Sequence, residues 1–248
     1  MRAHGKPKGT PKRPAEKPGL PAPGKVRKPR PNSKEAILRI FARLVADKGY
    51  GEASISNIAD ELGLSKGTVA FHFGSKEALF RLLVESYMDR RIAEAQFVCS
   101  RLSTVTEQLC GMIYALLALY RDDRDSTNSF LREFVRFRDR TGNERLRERR
   151  NQYFEIVHQI VRQGMDAGEF RKDDSRMVTF QIFGMCNYAW TWLRADGPRT
   201  IEEIATIYCS LVIAGLRNPS VNPPVQEPTK ETMATVIEIV NAAPNRVL

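Results

Sequence analysis

Apolar residues recur along this chain at three- and four-residue intervals, and no stretch alternates apolar with polar at a spacing of two, so the pattern predicts helices and no strands. Ile37, Leu38, Phe41, Leu44 and Val45 mark a first helix, opened by Asn32 with Glu35 as a capping box and closed at Lys48-Gly49. Ile55, Ile58, Ala59 and Leu62 mark a second, stopped by Gly63, where a residue of positive φ suits a helix end. Ser65 then caps a short third helix from Lys66 to about His72, with Val69 and Phe73 facing inward. Ser75 caps a fourth that runs through Leu79, Phe80, Leu83, Tyr87 and Met88 toward Phe97, with Glu77 well placed in its positive first turn. Val105–Tyr120 is apolar on nearly every side, as a central helix surrounded by others must be. Phe130–Phe137, Asn143–Ala167, Asp174–Leu193 and Ile201–Leu216 complete the helical part, with breaks at Arg121–Asp125, Thr141-Gly142, Gly168 and Asp196-Gly197-Pro198. The predicted fold class is all-α, a small amino-terminal helical bundle joined to a larger helical domain.

Composition refines this picture at both ends. Residues 1–31 hold eight of the fourteen prolines, and residues 1–34 carry eleven Lys or Arg against the single acid Glu16. The whole net charge of +10 therefore lies in this stretch, leaving 28 basic and 28 acidic residues in 35–248. Such a segment buries too little apolar surface to offset its ordering entropy, and is expected to be a disordered basic arm that tracks DNA phosphates or enters a flanking minor groove. A solubilising tail has the same composition. Asn218–Pro228 is again proline-rich and predicts a linker, with Met233–Val240 as a short helix on the body or on a partner. The expected organisation is an arm at 1–31, a small helical domain at 32–77, a larger helical domain at 78–218, and a linker with tail at 219–248.

Chemistry is sparse. Cys99, Cys110, Cys186 and Cys209 are far apart, and only His4, His72 and His158 are available to join them, so no metal site is expected. No cofactor motif, nucleophile–base arrangement or paired carboxylate stands out, and no catalytic residue is assigned. No run of apolar residues is long enough to span a bilayer, and the basic start is not followed by a signal-peptide core. These features point to a soluble cytoplasmic protein.

The pair of helices around Gly63-Leu64-Ser65 has the form of a helix-turn-helix, although an ordinary αα-hairpin shows the same periodicity. The run from Lys34 to Glu85 adds the Gly49–Tyr50 turn, Ser-Lys-Gly-Thr at 65–68 and His72-Phe73-Gly74-Ser75-Lys76-Glu77. In this order and spacing the run resembles the amino-terminal DNA-binding domain of the TetR (tetracycline repressor-like) family of transcriptional regulators. The resemblance implies that Ser54, Ser65, Lys66, Gly67, Thr68, Phe71, His72 and Lys76 face DNA, with Ser54 and Lys76 on phosphates. Lys76 sits in the positive first turn of its helix, which also invites an anion. Members of the family often carry Leu-Tyr-His-Tyr-Phe after the threonine, where this chain has Val69-Ala70-Phe71-His72-Phe73. Ala70 cannot make the phosphate contact of a tyrosine.

The resemblance further implies a homodimer through the last two long helices, Asp174–Leu193 and Ile201–Leu216, binding a palindromic double-stranded operator with half-sites about 34–36 Å apart. It also implies a small-molecule effector in the second domain. Phe134, Phe137, Tyr153, His158, Phe183, Asn187 and Trp190 are the candidates to line its pocket, although aromatic residues at helical spacing are usually core. QGMDAGEFR and AWTWLRADGPRTIEEIA resemble a subgroup that responds to acyl-CoA or similar apolar carboxylate derivatives. Arg145, Arg147, Arg149 and Arg150 would meet such phosphates, but the interleaved Glu144 and Glu148 fit a solvated, salt-bridged face better. The expected function is a ligand-responsive repressor. An activator, a constitutive or architectural DNA-binding protein without effector, and a helical enzyme are the alternatives.

Overall fold

The computed structural model describes Met1 and residues 34–138, 144–194, 196–220, 226–244 and 246–248. The side chains of residues 134–138 lie outside the described part, as do the arm, the capping box at Asn32 and the Thr141-Gly142 break.

Ten α-helices make up the described residues: α1 (Lys34–Lys48), α2 (Ile55–Leu62), α3 (Lys66–Phe73), α4 (Lys76–Arg101), α5 (Val105–Asp122), α6 (Arg124–Arg138), α7 (Glu144–Asp166), α8 (Ser175–Tyr188), α9 (Ile201–Leu216) and α10 (Lys230–Asn241). Among these residues the β-type pairing is confined to an isolated bridge between Phe170 and Arg217.

α1, α2 and α3 form the amino-terminal bundle. α1 is amphipathic and buries Ile37, Leu38, Phe41, Leu44 and Val45. α2 is held at its start by Ser54, whose Oγ accepts from Asn57 N at 3.1 Å while Asn57 Oδ1 accepts from Ser54 N at 3.1 Å. It ends at Gly63, whose φ of 65° lies in the left-handed region that a side chain would disfavour. Leu64 N then donates back to Ala59 O at 2.8 Å, which folds the chain sharply into α3.

α5 is the axis of the larger part. Every residue from Leu109 to Tyr120 is buried, and the helix packs against α4, α6, α7, α8, α9 and α10. α4, 26 residues long and so about 39 Å, joins the two parts without a break. The close fit of α7 to the loop after it requires Gly164, because a Cβ there would drive into the Phe170 ring.

The carboxyl-terminal third departs from expectation in two places. α8 stops at Tyr188 and tightens into a 3-10 turn over Ala189–Thr191, short of Leu193, as Ala189 N donates to both Cys186 O and Asn187 O. And the helix expected over Met233–Val240, on the body or on a partner, is longer, α10 (Lys230–Asn241), and sits on the body: it buries Met233, Val236 and Val240 against α5 and α4.

Candidate DNA-facing helix and ligand cavity

α3 is anchored by two side chains, Val69 and Phe73, both buried. Its start is fixed by Ser65, whose Oγ accepts from Thr68 N at 3.0 Å and lies 2.9 Å from Thr68 Oγ1. The opposite face is open: Lys66, Gly67 and Phe71 are exposed, Phe71 to 87%, and Thr68 and His72 are half-buried. Gly67 has no packing reason to be glycine, since a Cβ would meet only Ser65 Oγ at an ordinary 3.6 Å. Six of the eight residues expected to face DNA (Ser65, Lys66, Gly67, Thr68, Phe71, His72) thus lie together on or at the start of one short helix, with Ser54 at the neighbouring α2 start.

Lys76 does not have the free ammonium expected of it. Its Nζ donates to Tyr50 O at 2.8 Å, Gly51 O at 3.1 Å and Ala53 O at 2.8 Å, and rests 4.5 Å from the centre of the Tyr50 ring. An ammonium has three donors, and all three close the α1–α2 loop.

A cavity of about 490 Å³ opens among α4, α5, α6, α7 and α8. Tyr87 stacks on Phe130 at 5.1 Å and Phe154 packs tilted against Phe180 at 4.8 Å, so aromatic rings form much of its wall. Arg91, Arg150, Arg176, Asn151 and Asn187 supply the polar positions. Arg176 lies 5.0 Å over the Phe154 ring and pairs with Glu155 at 3.1 Å. Burial pushes the Tyr153 hydroxyl well above its ordinary pKa and the Cys186 thiol up to about 12, so both stay protonated at neutral pH.

Of the residues expected to line a pocket, Tyr153, Phe183 and Asn187 do so. Phe134 and Phe137 belong to α6 at positions whose side chains lie outside the described residues. His158 is instead a clamp between α7 and α8: it is buried, its Nδ1 is 3.1 Å from Glu155 Oε2 and its Nε2 is 2.9 Å from Ser175 Oγ. This Ser–His–Glu chain has the spacing of a nucleophile and its base. The amides beside it at the start of α8, however, are occupied by the Asp174 carboxylate, which accepts from Arg176 N and Met177 N. An oxyanion would meet a negative charge there. Trp190, in the 3-10 turn, is 41% exposed and is not among the residues lining the cavity. Sequence reasoning missed Tyr87, Arg91, Phe154 and Phe180. Their signal is a shared face: Tyr87 and Arg91 are four apart on α4, and Phe180, Phe183, Gly184 and Asn187 make one stripe of α8.

α6 stands between the cavity and the bundle. Phe130 and Leu131 line the cavity. On the same turns Ser129 Oγ donates to Ala42 O at 2.6 Å, Arg132 Nη1 donates to Ala46 O at 3.0 Å, and Glu133 Oε1 accepts from Tyr50 N at 2.8 Å. The carboxyl end of α1 is therefore held by the helix that walls the cavity.

Among the described residues no helix is long and apolar enough to cross a membrane, and no cluster of His, Cys, Asp and Glu has the make-up of a metal site.

Residues 33–83 match the family model for bacterial regulatory proteins of the tetR family, and residues 102–216 match the tetracyclin repressor-like carboxyl-terminal domain. The chain is similar to the HTH-type transcriptional repressor KstR2 of Mycobacterium tuberculosis, 23% identical over 186 residues that cover 75% of this chain and 93% of the relative. It is similar to the fatty acid metabolism regulator protein of Bacillus subtilis, 24% identical over 188 residues covering 73% and 94%. Among solved structures, KstR2 of M. tuberculosis superposes with a TM-score of 0.69 at 23% identity, covering 74% of this chain and 94% of that one. AibR in complex with isovaleryl coenzyme A and operator DNA superposes with a TM-score of 0.65 at 24% identity, covering 72% and 96%. With both halves of the helical chain matched by family models, and the same fold in its structural neighbours, the protein belongs to the TetR family of bacterial regulators.

Proposed function

We propose that this protein is a dimeric transcriptional repressor whose hold on DNA is released by an acyl-coenzyme A. We divide it into a basic arm at 1–31, a DNA-binding head at 32–77, and an effector-binding and dimerisation body that starts at residue 78 and takes in α10.

In the head, α3 lies in the major groove. Thr68, Phe71 and His72 meet base edges, Lys66 and Ser54 meet phosphates, and Gly67 lets the helix backbone approach closely. In the body, α8 and α9 present an exposed apolar face, with Tyr188 at 66%, Ile207 at 50% and Leu211 at 65% exposure. A second copy covering that face by two-fold symmetry sets two α3 helices one DNA turn apart on an inverted repeat. The acyl group fills the aromatic cavity, and Arg150 and Arg176 meet the coenzyme's phosphates. No chemical step belongs to this cycle, which takes place on DNA in the cytoplasm.

The observation that carries this reading is α6, with Phe130 and Leu131 on the cavity and Ser129, Arg132 and Glu133 on the head. A ligand that favours one placement of α6 favours one placement of the head, and so shifts the population away from DNA. The names of similar proteins give the class of ligand: AibR is solved with isovaleryl coenzyme A and operator DNA, and the Bacillus subtilis regulator FadR with stearoyl-CoA.

The test is an operator selected from random duplexes, then titration of the complex with isovaleryl-CoA and stearoyl-CoA. One of the two is expected to weaken operator binding by at least about tenfold, a typical coupling. Unchanged DNA affinity in the presence of a range of acyl-CoAs shown to bind the protein would overturn the reading.

A further inference from the structure

We infer that residues 246–248, beyond α10, are a strut that ties the cavity to the head and fixes the spacing between the two heads of the dimer. The inference rests on the DNA-binding dimer proposed above and concerns its regulation.

The strut lies beyond the residues that the family models match, the last of which is residue 216. α10 is nevertheless firmly seated. Thr229 caps its start, accepting from Thr232 N at 3.1 Å, and Met233, Val236 and Val240 are buried against α4 and α5. Asn241 at its end lies within 3.1 Å of Tyr114 Oη on α5.

Beyond α10 the chain makes two long-range connections. The first is at Arg246, which is buried. Its Nε pairs with Glu94 of α4, and its Nη1 donates to Asp122 Oδ2 at 3.0 Å and Asn241 Oδ1 at 3.2 Å. Its carbonyl accepts from Arg91 Nη2. Arg91 is 1% exposed and lines the cavity. The second connection lies two residues on, where the Leu248 carbonyl accepts from Arg39 Nη2 of α1 at 2.9 Å. A cavity residue and a head helix are thus joined through about 7 Å of extended chain.

This connection is stiff where it matters. The Arg246 guanidinium sits between two carboxylates from different helices, and freeing it would leave Glu94 buried beside Arg91 alone. Groups buried without partners are strongly disfavoured, so Arg246 holds its place. The head is then held at three places: α4 runs into it without a break, α6 grips the carboxyl end of α1, and the strut reaches Arg39 near the start of α1. The strut adds a fixed point at that end of α1, which α4 and α6 leave unheld. Arg39 and Arg246 are positioning residues for the distance between half-sites.

The experiment compares the full chain with Arg39→Gln and Arg246→Gln on inverted repeats whose half-sites are moved apart or together by one or two base pairs, and on a single half-site. The full chain is expected to prefer one spacing by about tenfold, in the range of ordinary couplings. Both variants are expected to lose most of that preference while keeping their affinity for the single half-site. Arg39 is exposed, so Arg39→Gln should melt within a degree or two of the full chain, which separates positioning from stability even if Arg246→Gln fails to fold. A full spacing preference in Arg39→Gln overturns the strut and leaves the dimer standing. A full chain indifferent to spacing overturns the strut together with the dimer it rests on.

Discussion

At the scale of single residues, the two most informative positions are those where the local rule for stability is broken or redirected. Gly67 lies inside α3, where glycine costs about 0.5–1 kcal/mol relative to alanine, and nothing in the packing requires it. Gly67→Ala is therefore expected to raise stability toward denaturant by up to about that amount while weakening operator binding several-fold. Opposite signs in the two measurements would mark a helix shaped for close approach. If binding were unchanged, the glycine would have no part in the interface. Lys76 is the converse case. Family resemblance and the helix dipole both suggest a phosphate contact, but the ammonium is spent on three carbonyls. Lys76→Met should lower stability by about 1–3 kcal/mol, the cost of stranding partly buried acceptors. Denaturant melts of the variant check this, and a melt unchanged from wild type would return Lys76 to the DNA surface.

At the scale of elements, the helical period was enough to place α1 to α5 and α7 in the sequence, because each has an apolar stripe and most have a capping residue. Ser65 and Ser75 cap as expected. Three things were not legible. The end of α8 is set by a switch of hydrogen bonding at Ala189, which no breaker residue announces. The seat of α10 depends on α4 and α5, more than a hundred residues earlier, so composition near Pro223 reads as linker. The cavity depends on which aromatic faces meet: Tyr153 and Phe183 were legible, but Phe154 and Tyr87 required the packing of α7 on α4. His158 misleads for the same reason, since its partners lie on both sides of the α7–α8 turn. The placement of α6 makes its own prediction. Ser129→Ala removes a buried hydrogen bond to Ala42 O, worth about 0.5–1.5 kcal/mol, from the grip on α1 without touching the cavity or α3. Acyl-CoA affinity should hold while the ligand's effect on operator affinity shrinks. Equal loss of both would mean that α6 serves the cavity alone.

At the scale of the whole molecule, charge separates two kinds of contribution to DNA binding. Residues 35–248 carry no net charge, so the body does not draw DNA by its overall field, and residues 1–34 carry the full +10. On the proposed reading, base discrimination and spacing come from α3 and the dimer, and the arm adds affinity common to all duplexes to that of Lys66 and Ser54, through release of counterions from the phosphates it neutralises. Deleting residues 2–31 should therefore lower affinity for operator and random duplex by a similar factor, leaving the ratio between them intact. The slope of log K against log salt should fall by about 0.9 for every phosphate the arm engages. Binding isotherms for both duplexes at several salt concentrations measure both quantities together. A slope unaltered by the deletion would show the arm to be a passive tail. A lost ratio would show that the arm reads sequence in its own right, in a minor groove flanking the half-sites.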